Sequence, residues 1–296
     1  MTTVEITDVC LRDGLQDEPV IVTTEDKLRI LDALVDAGVR RLEIGSFVNP
    51  KKVPQMADSA ELFAGVRRRP DVVLTALALN TRGVERALAA GADEVSIVLS
   101  ASEAHSSANA GQSVDQALER YRDAVAAHPQ VRFIGGISTA FRCPFEGEID
   151  PQRLIRLVEG FRDMGITTVG LADTLGTTPP DELMRSLAHV RTAVPDVEYS
   201  LHLHNAHGQA LETVTRAVDA GIITFDAAVA GYGGCPFAPG AHGNIATEEL
   251  ISHLHRAGIT TGIDLDALTD VAALVRGIVA SARPLDTVHT GGRSDA

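Results

Sequence analysis

The sequence predicts an α/β chain folded as a (β/α)8 TIM barrel with an extra C-terminal helix. Three observations carry that expectation. The length, 296 residues, suits one such barrel, which typically takes about 250 residues. A phrase recurs in which a helix-like segment ends at a small residue and glycine and a β-rich run follows. It reads DAGVRRLEI around Gly38, AAGADEVSIV around Gly91, DMGITTVGLA around Gly165 and DAGIITFDAAV around Gly221. The gaps of 53, 74 and 56 residues are two to three times a βα unit of about 25–30 residues.

Filling those gaps gives eight strand candidates, at 4–11, 40–46, 72–79, 94–99, 131–138, 167–172, 198–204 and 224–230. They are short, rich in Val, Ile and Leu, and not strictly alternating, as parallel strands covered on both sides should be. A helix-like stretch follows each one. In the first, Leu28, Leu31, Leu34 and Val35 fall at helical spacing, and Thr23 or Thr24 is placed to cap its start. The recurring glycine can end each helix in a left-handed conformation before the next strand. Eight units in a chain of this length favour a closed barrel over an open doubly wound sheet. Residues 262–284 read as the further helix and 286–296 as a loose tail, so the expected organisation is one catalytic domain over 1–296.

Composition narrows the function classes. A net charge of −14 disfavours nucleic acid, whose phosphates demand clustered cations. The apolar runs are too short for a membrane span, and no signal peptide is visible at the N-terminus. Three widely spaced cysteines, Cys10, Cys143 and Cys235, argue against a disulfide framework and for a reducing cytoplasm. Of only three lysines, Lys51 and Lys52 are adjacent. They are the one candidate patch for an anionic substrate, or else an ordinary solvated loop.

In a barrel of this kind the chemistry sits at the C-terminal ends of the strands. There the sequence places Arg12-Asp13-Gly14-Leu15-Gln16, Glu43 and Ser46, Asp173-Thr174, His202-Leu203-His204-Asn205, and a glycine-rich run holding Cys235, His242 and Asn244. The H-x-H element occurs twice, and geometry separates the two. On a strand, residues i and i+2 share a face, so His202 and His204 can reach one ion. His253 and His255 fall in a helix-like run, where the same spacing points them apart. Asp13 adds a carboxylate oxygen and Asn244 an amide oxygen, a donor set suited to Mg2+ or Mn2+. Glu43 is placed either to steady a ligand or to pair with Arg12 or Arg41.

The motifs LRDGLQDE at 11–18, SFVNPKKVPQMAD at 46–58, CPFEG at 143–147, HLHNAHGQAL at 202–211 and GGCPFAPGAHGNIATEEL at 233–250 run almost the length of the chain. Together they resemble the 3-hydroxy-3-methylglutaryl-CoA lyase family of metal-dependent barrel enzymes. That resemblance implies that Asp13, His202, His204 and Asn244 hold the metal and that Glu43 stands beside them. It implies that Arg12 stabilises enolate charge, that Cys235 is a catalytic cysteine, and that Gln16, Ser46 and Asp173 line the substrate site. The Lys51–Lys52 loop corresponds to a segment near CoA. The implied reaction is retro-aldol cleavage of an acyl-CoA, with Asp13 or His202 taking the hydroxyl proton, in a homodimer.

Asn205, His207, His242 and the pair Phe141-Arg142 depart from the lyase pattern and bear on the acyl pocket. The rival readings are a lyase for citramalyl-CoA or a longer 3-hydroxy-3-alkylglutaryl-CoA, a condensing enzyme resembling isopropylmalate or homocitrate synthase, and a non-catalytic metal-binding scaffold.

Overall fold

A computed structural model describes residues 2–234 and 243–285. Eight parallel strands close into a barrel: β1 (Glu5–Asp8), β2 (Arg41–Ser46), β3 (Val73–Leu77), β4 (Glu94–Ser100), β5 (Arg132–Ser138), β6 (Thr168–Asp173), β7 (Glu198–Leu203) and β8 (Thr224–Ala227). Each pairs with its neighbours in the chain, and β1 pairs with β8 to complete the ring. All eight fall where the sequence puts them. The first is shorter than expected, because the chain abandons the extended conformation after Asp8 and makes a turn of π-helix over Cys10–Gly14.

The helices are α1 (Thr24–Asp36), α2 (Ser59–Gly65), α3 (Thr81–Ala90), α4 (Glu103–Ala110), α5 (Val114–Ala127), α6 (Pro151–Asp163), α7 (Pro180–Ala193), α8 (Ala210–Asp219), α9 (Thr247–Arg256) and α10 (Leu265–Ser281). In α1, Thr23 caps the first turn by accepting from Asp26 N. Its buried face is Lys27, Ile30, Leu31, Leu34 and Val35, the i, i+3, i+4, i+7, i+8 stripe of a core-facing helix. Each aliphatic member contributes about 2 kcal/mol by leaving water. The lysine in that stripe is held by Asp58 at 2.5 Å and by the carbonyl of Gln55 at 2.7 Å.

Gly38, Gly91, Gly165 and Gly221 all have φ between +85° and +102°, the left-handed geometry expected of them. The further helix is α10, which packs against α1 and α9. After it, Arg283 and Pro284 pair antiparallel with Ile21 and Val20 beside the first strand's loop. The tail expected over 286–296 lies outside the described residues.

Register sorts each strand's side chains into two sets. Thr7, Asp226, His202 and Ala172 stand in register across β1, β8, β7 and β6, and Glu43 stands opposite Thr75 on β3. These residues share the lumen face, since neighbours in a parallel ladder point the same way. At the strand starts, Arg41 pairs with Glu94, and with Glu5 at 3.3 Å, while Arg132 reaches Glu94 at 3.2 Å. Charges at that end of a barrel serve stability, whereas the opposite end carries the site.

Candidate active site

The π-turn after β1 is the first structural device of the site. Its wide loop, closed by Gly14 N donating to Val9 O at 3.1 Å, keeps Cys10, Leu11 and Gly14 buried and leaves Arg12 and Asp13 partly open. π-turns are rare and recur at functional positions. His202 sits at the end of β7 and His204 one step beyond, with ring centroids 5.3 Å apart. One ligand atom from each of Asp13, His202 and His204 lies within 4.8 Å of the other two, a grouping that could hold a metal ion.

Asn244 joins them from the other end of the chain. Its backbone bridges His204, and its Nδ2 donates to Asp13 Oδ2 at 2.7 Å and to Tyr232 O at 3.0 Å. That fixes which way the amide points. Its Oδ1 is then buried with no partner among the described residues, and so is His204 Nδ1. Gly233 makes the room: a Cβ there would stand 2.4 Å from Asn244 Nδ2, and its φ of +115° suits glycine alone.

Arg12 is clasped between two carboxylates. Its Nε donates to Glu43 Oε2 at 2.5 Å and its other nitrogens pair with Glu43 and Asp13. Of the two roles expected for Glu43, the structure realises the pairing with Arg12. Burial disfavours the guanidinium charge, but Glu43 and Asp13 outweigh it and hold Arg12 firmly protonated. Burial likewise opposes ionisation of Asp13, yet Arg12, the two imidazoles and the Asn244 hydrogen bond hold its carboxyl well below the usual range. Burial pushes the Glu43 carboxyl up against the pull of Arg12.

The two imidazoles differ. Burial lowers His204, with help from His202, to about 4, so it is neutral near pH 7, the form that ligates metals. Burial also works against charge on His202, but the hydrogen bond to Asp226 and the charge of Asp13 raise its pKa above the ordinary value. His202 Nδ1 donates to Asp226 Oδ2 at 3.2 Å, which leaves Nε2 facing Asp13, 3.8 Å away. A carboxylate behind a histidine fixes its tautomer and orientation. Two imidazole nitrogens, a carboxylate oxygen and a buried amide oxygen with no partner among the described residues fit a hard divalent cation.

A family model described as HMGL-like matches residues 3–275. The chain belongs to the HMGL-like family. Among its relatives is the 3-hydroxy-3-isohexenylglutaryl-CoA/hydroxy-methylglutaryl-CoA lyase of Pseudomonas aeruginosa, 41% identical over 93% of each chain. The mitochondrial hydroxymethylglutaryl-CoA lyase of Macaca fascicularis is 39% identical over 92% of this chain and 84% of its own. An HMG-CoA lyase from Acinetobacter baumannii, solved with coenzyme A and 3-methylmalate, superposes with a TM-score of 0.90 at 38% identity. That match covers 99% of this chain and 97% of the other.

Within this HMGL-like barrel, not every expected site residue joins the centre. Asp173 is in register with Leu203 rather than His202, so its carboxyl faces away from the lumen. It accepts from Thr178 N at 3.1 Å and Thr178 Oγ1 at 2.8 Å, while its carbonyl accepts from His204 N at 3.3 Å. Through those bonds it holds the loop after β6 and the end of β7. Gln16 is half-buried just past the π-turn, and Ser46 is buried at the end of β2 with its Oγ unpartnered among the described residues. Lys51 and Lys52 are exposed on the loop after β2. Cys235 and His242 lie outside the described residues.

The departures from the lyase pattern have local structural partners. Asn205 Oδ1 accepts from Ala210 N at 3.1 Å at the start of α8, and Phe141 is buried. Arg142 makes a two-pronged pair with Glu182 at 2.8 and 2.6 Å, and His207 is exposed. The second H-x-H element lies on α9, where His253 meets Thr215 and His255 meets Thr261. The residue that the sequence reading missed is Asp226. Its signal was available: Thr224 and Asp226 alternate with Phe225 and Ala227, placing polar groups on the lumen side.

Proposed function

We propose that this chain is a divalent-metal-dependent carbon–carbon lyase that cleaves 3-hydroxy-3-methylglutaryl-CoA to acetyl-CoA and acetoacetate. The observation that carries the reading is the convergence of Asp13, His202, His204 and Asn244 beside the clasped guanidinium of Arg12. The names of the relatives at about 40% identity supply the substrate class. Asp13, His202, His204 and Asn244 would hold Mg2+ or Mn2+, which supplies Lewis-acid polarisation of the substrate's hydroxyl and carbonyl oxygens when bound.

The protein's own groups account for the rest. Arg12, kept charged and oriented by Glu43, presents a fixed cation to the oxyanion that develops on the thioester carbonyl as the bond breaks. Removal of the tertiary hydroxyl proton is assigned to the coupled pair His202 and Asp13, 3.8 Å apart, with Asp226 steadying the imidazole. Cys235 is retained as the donor that protonates the acetyl-CoA carbanion. Gln16 and Ser46 are assigned to the acyl portion and the Lys51–Lys52 loop to the CoA phosphates. Asp173 is assigned to shaping the loop at the pocket's edge.

The same proposal includes a homodimer, checked by light scattering, in a reducing cytoplasm. Cys10 and Cys143, both buried and unpaired, support that compartment. A second reading, a longer 3-hydroxy-3-alkylglutaryl-CoA, is favoured by the two-substrate name of the Pseudomonas aeruginosa relative. Both are tested by incubating purified protein with a panel of 3-hydroxyacyl-CoA thioesters, with Mg2+ or Mn2+ and with chelator. Metal-dependent acetyl-CoA release from the methylglutaryl substrate is the expected result, and no release from any member would refute the lyase reading.

A further inference from the structure

Asp8, at the end of β1, is a charged residue in a place where charge is costly. It is 1% exposed and stands in register with Ala227, on the helix-facing side of the barrel wall. It therefore touches neither the lumen nor the residues grouped there. Burial pushes its carboxyl up to about 6, against three hydrogen bonds that favour the charged form. A buried carboxylate is retained at neutral pH only when donors satisfy it, and the identity of those donors is informative.

Cys10 N donates to Oδ1 at 2.9 Å. Val229 N donates to Oδ2 at 2.9 Å and Thr247 Oγ1 donates to the same oxygen at 2.7 Å. Cys10 opens the π-turn that carries Arg12 and Asp13. Val229 opens the turn that follows β8, and Thr247 is the first residue of α9, three positions after Asn244. Between the last two, Ala228 N donates to Ile245 O and Thr247 N to Ala228 O, so the Asn244 segment is itself strapped to the β8 exit. One carboxylate thus ties together the two segments that deliver the two oxygen donors of the site.

We infer that Asp8 is a positioning residue whose carboxylate clamps the Cys10–Gly14 turn to the Asn244 segment, holding Asp13 and Asn244 in register for a divalent cation. The inference rests on the metal reading of the site. A hydrogen-bonded support behind ligands is worth about 10–100-fold in metal affinity. Asp8→Asn keeps the shape but replaces one acceptor oxygen with a donor that faces a backbone N–H or the Thr247 hydroxyl. Thr247→Val removes a single link, and Thr247→Ser restores it.

The test measures Mn2+ binding by isothermal titration calorimetry on the full chain, alongside thermal unfolding in chelator. Asp8→Asn is expected to bind Mn2+ about 10–100-fold more weakly than wild type. Thr247→Val should show a smaller loss and Thr247→Ser should recover it. A purely structural Asp8 predicts a lower unfolding temperature with wild-type affinity in the folded variants, and that result overturns the inference. If Asp8→Asn fails to fold, the Thr247 pair decides on the same criterion. Absence of Mn2+ binding by the wild type would instead overturn the metal reading, and this inference with it.

Discussion

Asn244 Nδ2 donates to Asp13 Oδ2 at 2.7 Å, joining residues 231 positions apart in the chain. The bond fixes the amide so that its oxygen, rather than its nitrogen, is the free donor atom. Asn244→Ala removes that oxygen and also frees the Asp13 carboxylate to rotate. Mn2+ affinity is expected to fall by more than about 10-fold, the lower end for losing even an indirect support. Titration calorimetry that returned wild-type affinity would remove Asn244 from the ligand set.

Asp226 stands behind His202 as Asn244 stands beside Asp13. Asp226→Ala should leave the imidazole without a fixed tautomer and weaken Mn2+ binding by about 10–100-fold. The circular dichroism spectrum should be unchanged, because Asp226 is lumen-facing and partly open. Unaltered metal affinity would mean that the 3.2 Å contact has no part in orienting His202.

The two H-x-H elements make an internal control. His204→Ala deletes a buried imidazole in the centre and should abolish metal retention on a desalting column. His255→Ala, on the exposed side of α9, should retain metal and activity at wild-type levels. Equal behaviour of the two variants would contradict the assignment of the centre to β7.

Asp8 also sets a pH dependence. With its carboxyl raised from 3.8 to about 6, the folded chain binds one more proton than the unfolded chain across that window. Stability from this group therefore falls as pH rises from about 4 to 6, by about 3 kcal/mol in total. The stability difference between wild type and Asp8→Asn, followed by urea unfolding from pH 4 to 7, isolates the effect from other carboxylates. A flat difference would show that burial does not hold the proton on Asp8.

Much of this molecule is legible in its sequence, for physical reasons that differ by region. The barrel is readable because four of its βα units write the same punctuation, a left-handed glycine (Gly38, Gly91, Gly165 or Gly221) between an amphipathic helix and a β-rich run. The π-turn is not, because Val9, Cys10 and Leu11 after Asp8 are themselves apolar and strand-like, and hydrophobicity alone cannot tell where a strand ends. His202, His204, Asp13 and Asn244 are readable from residue type and strand-end position. Asp8 and Asp173 show the limit. Their roles depend on which side of the wall they face, and a shift of one residue in register exchanges lumen for helix layer. Lys27 is hidden for a related reason: helical spacing marks its position as core, and only the approach of Asp58 and the Gln55 carbonyl makes a lysine tolerable there.

The pairing of β1 with β8 has a consequence for how the enzyme comes into being. Asp13 leaves the ribosome early and Asn244 late, separated on the order of ten to fifty seconds of synthesis at ordinary elongation rates. Until the last strand docks, the nascent chain holds an acidic residue and a guanidinium with no amide partner and no completed centre. Truncated or stalled products lack the chemistry altogether, rather than having a weakened form of it. Activity in this protein therefore requires the two ends of the chain to meet, across the seam where β1 pairs with β8 and Asp13 pairs with Asn244.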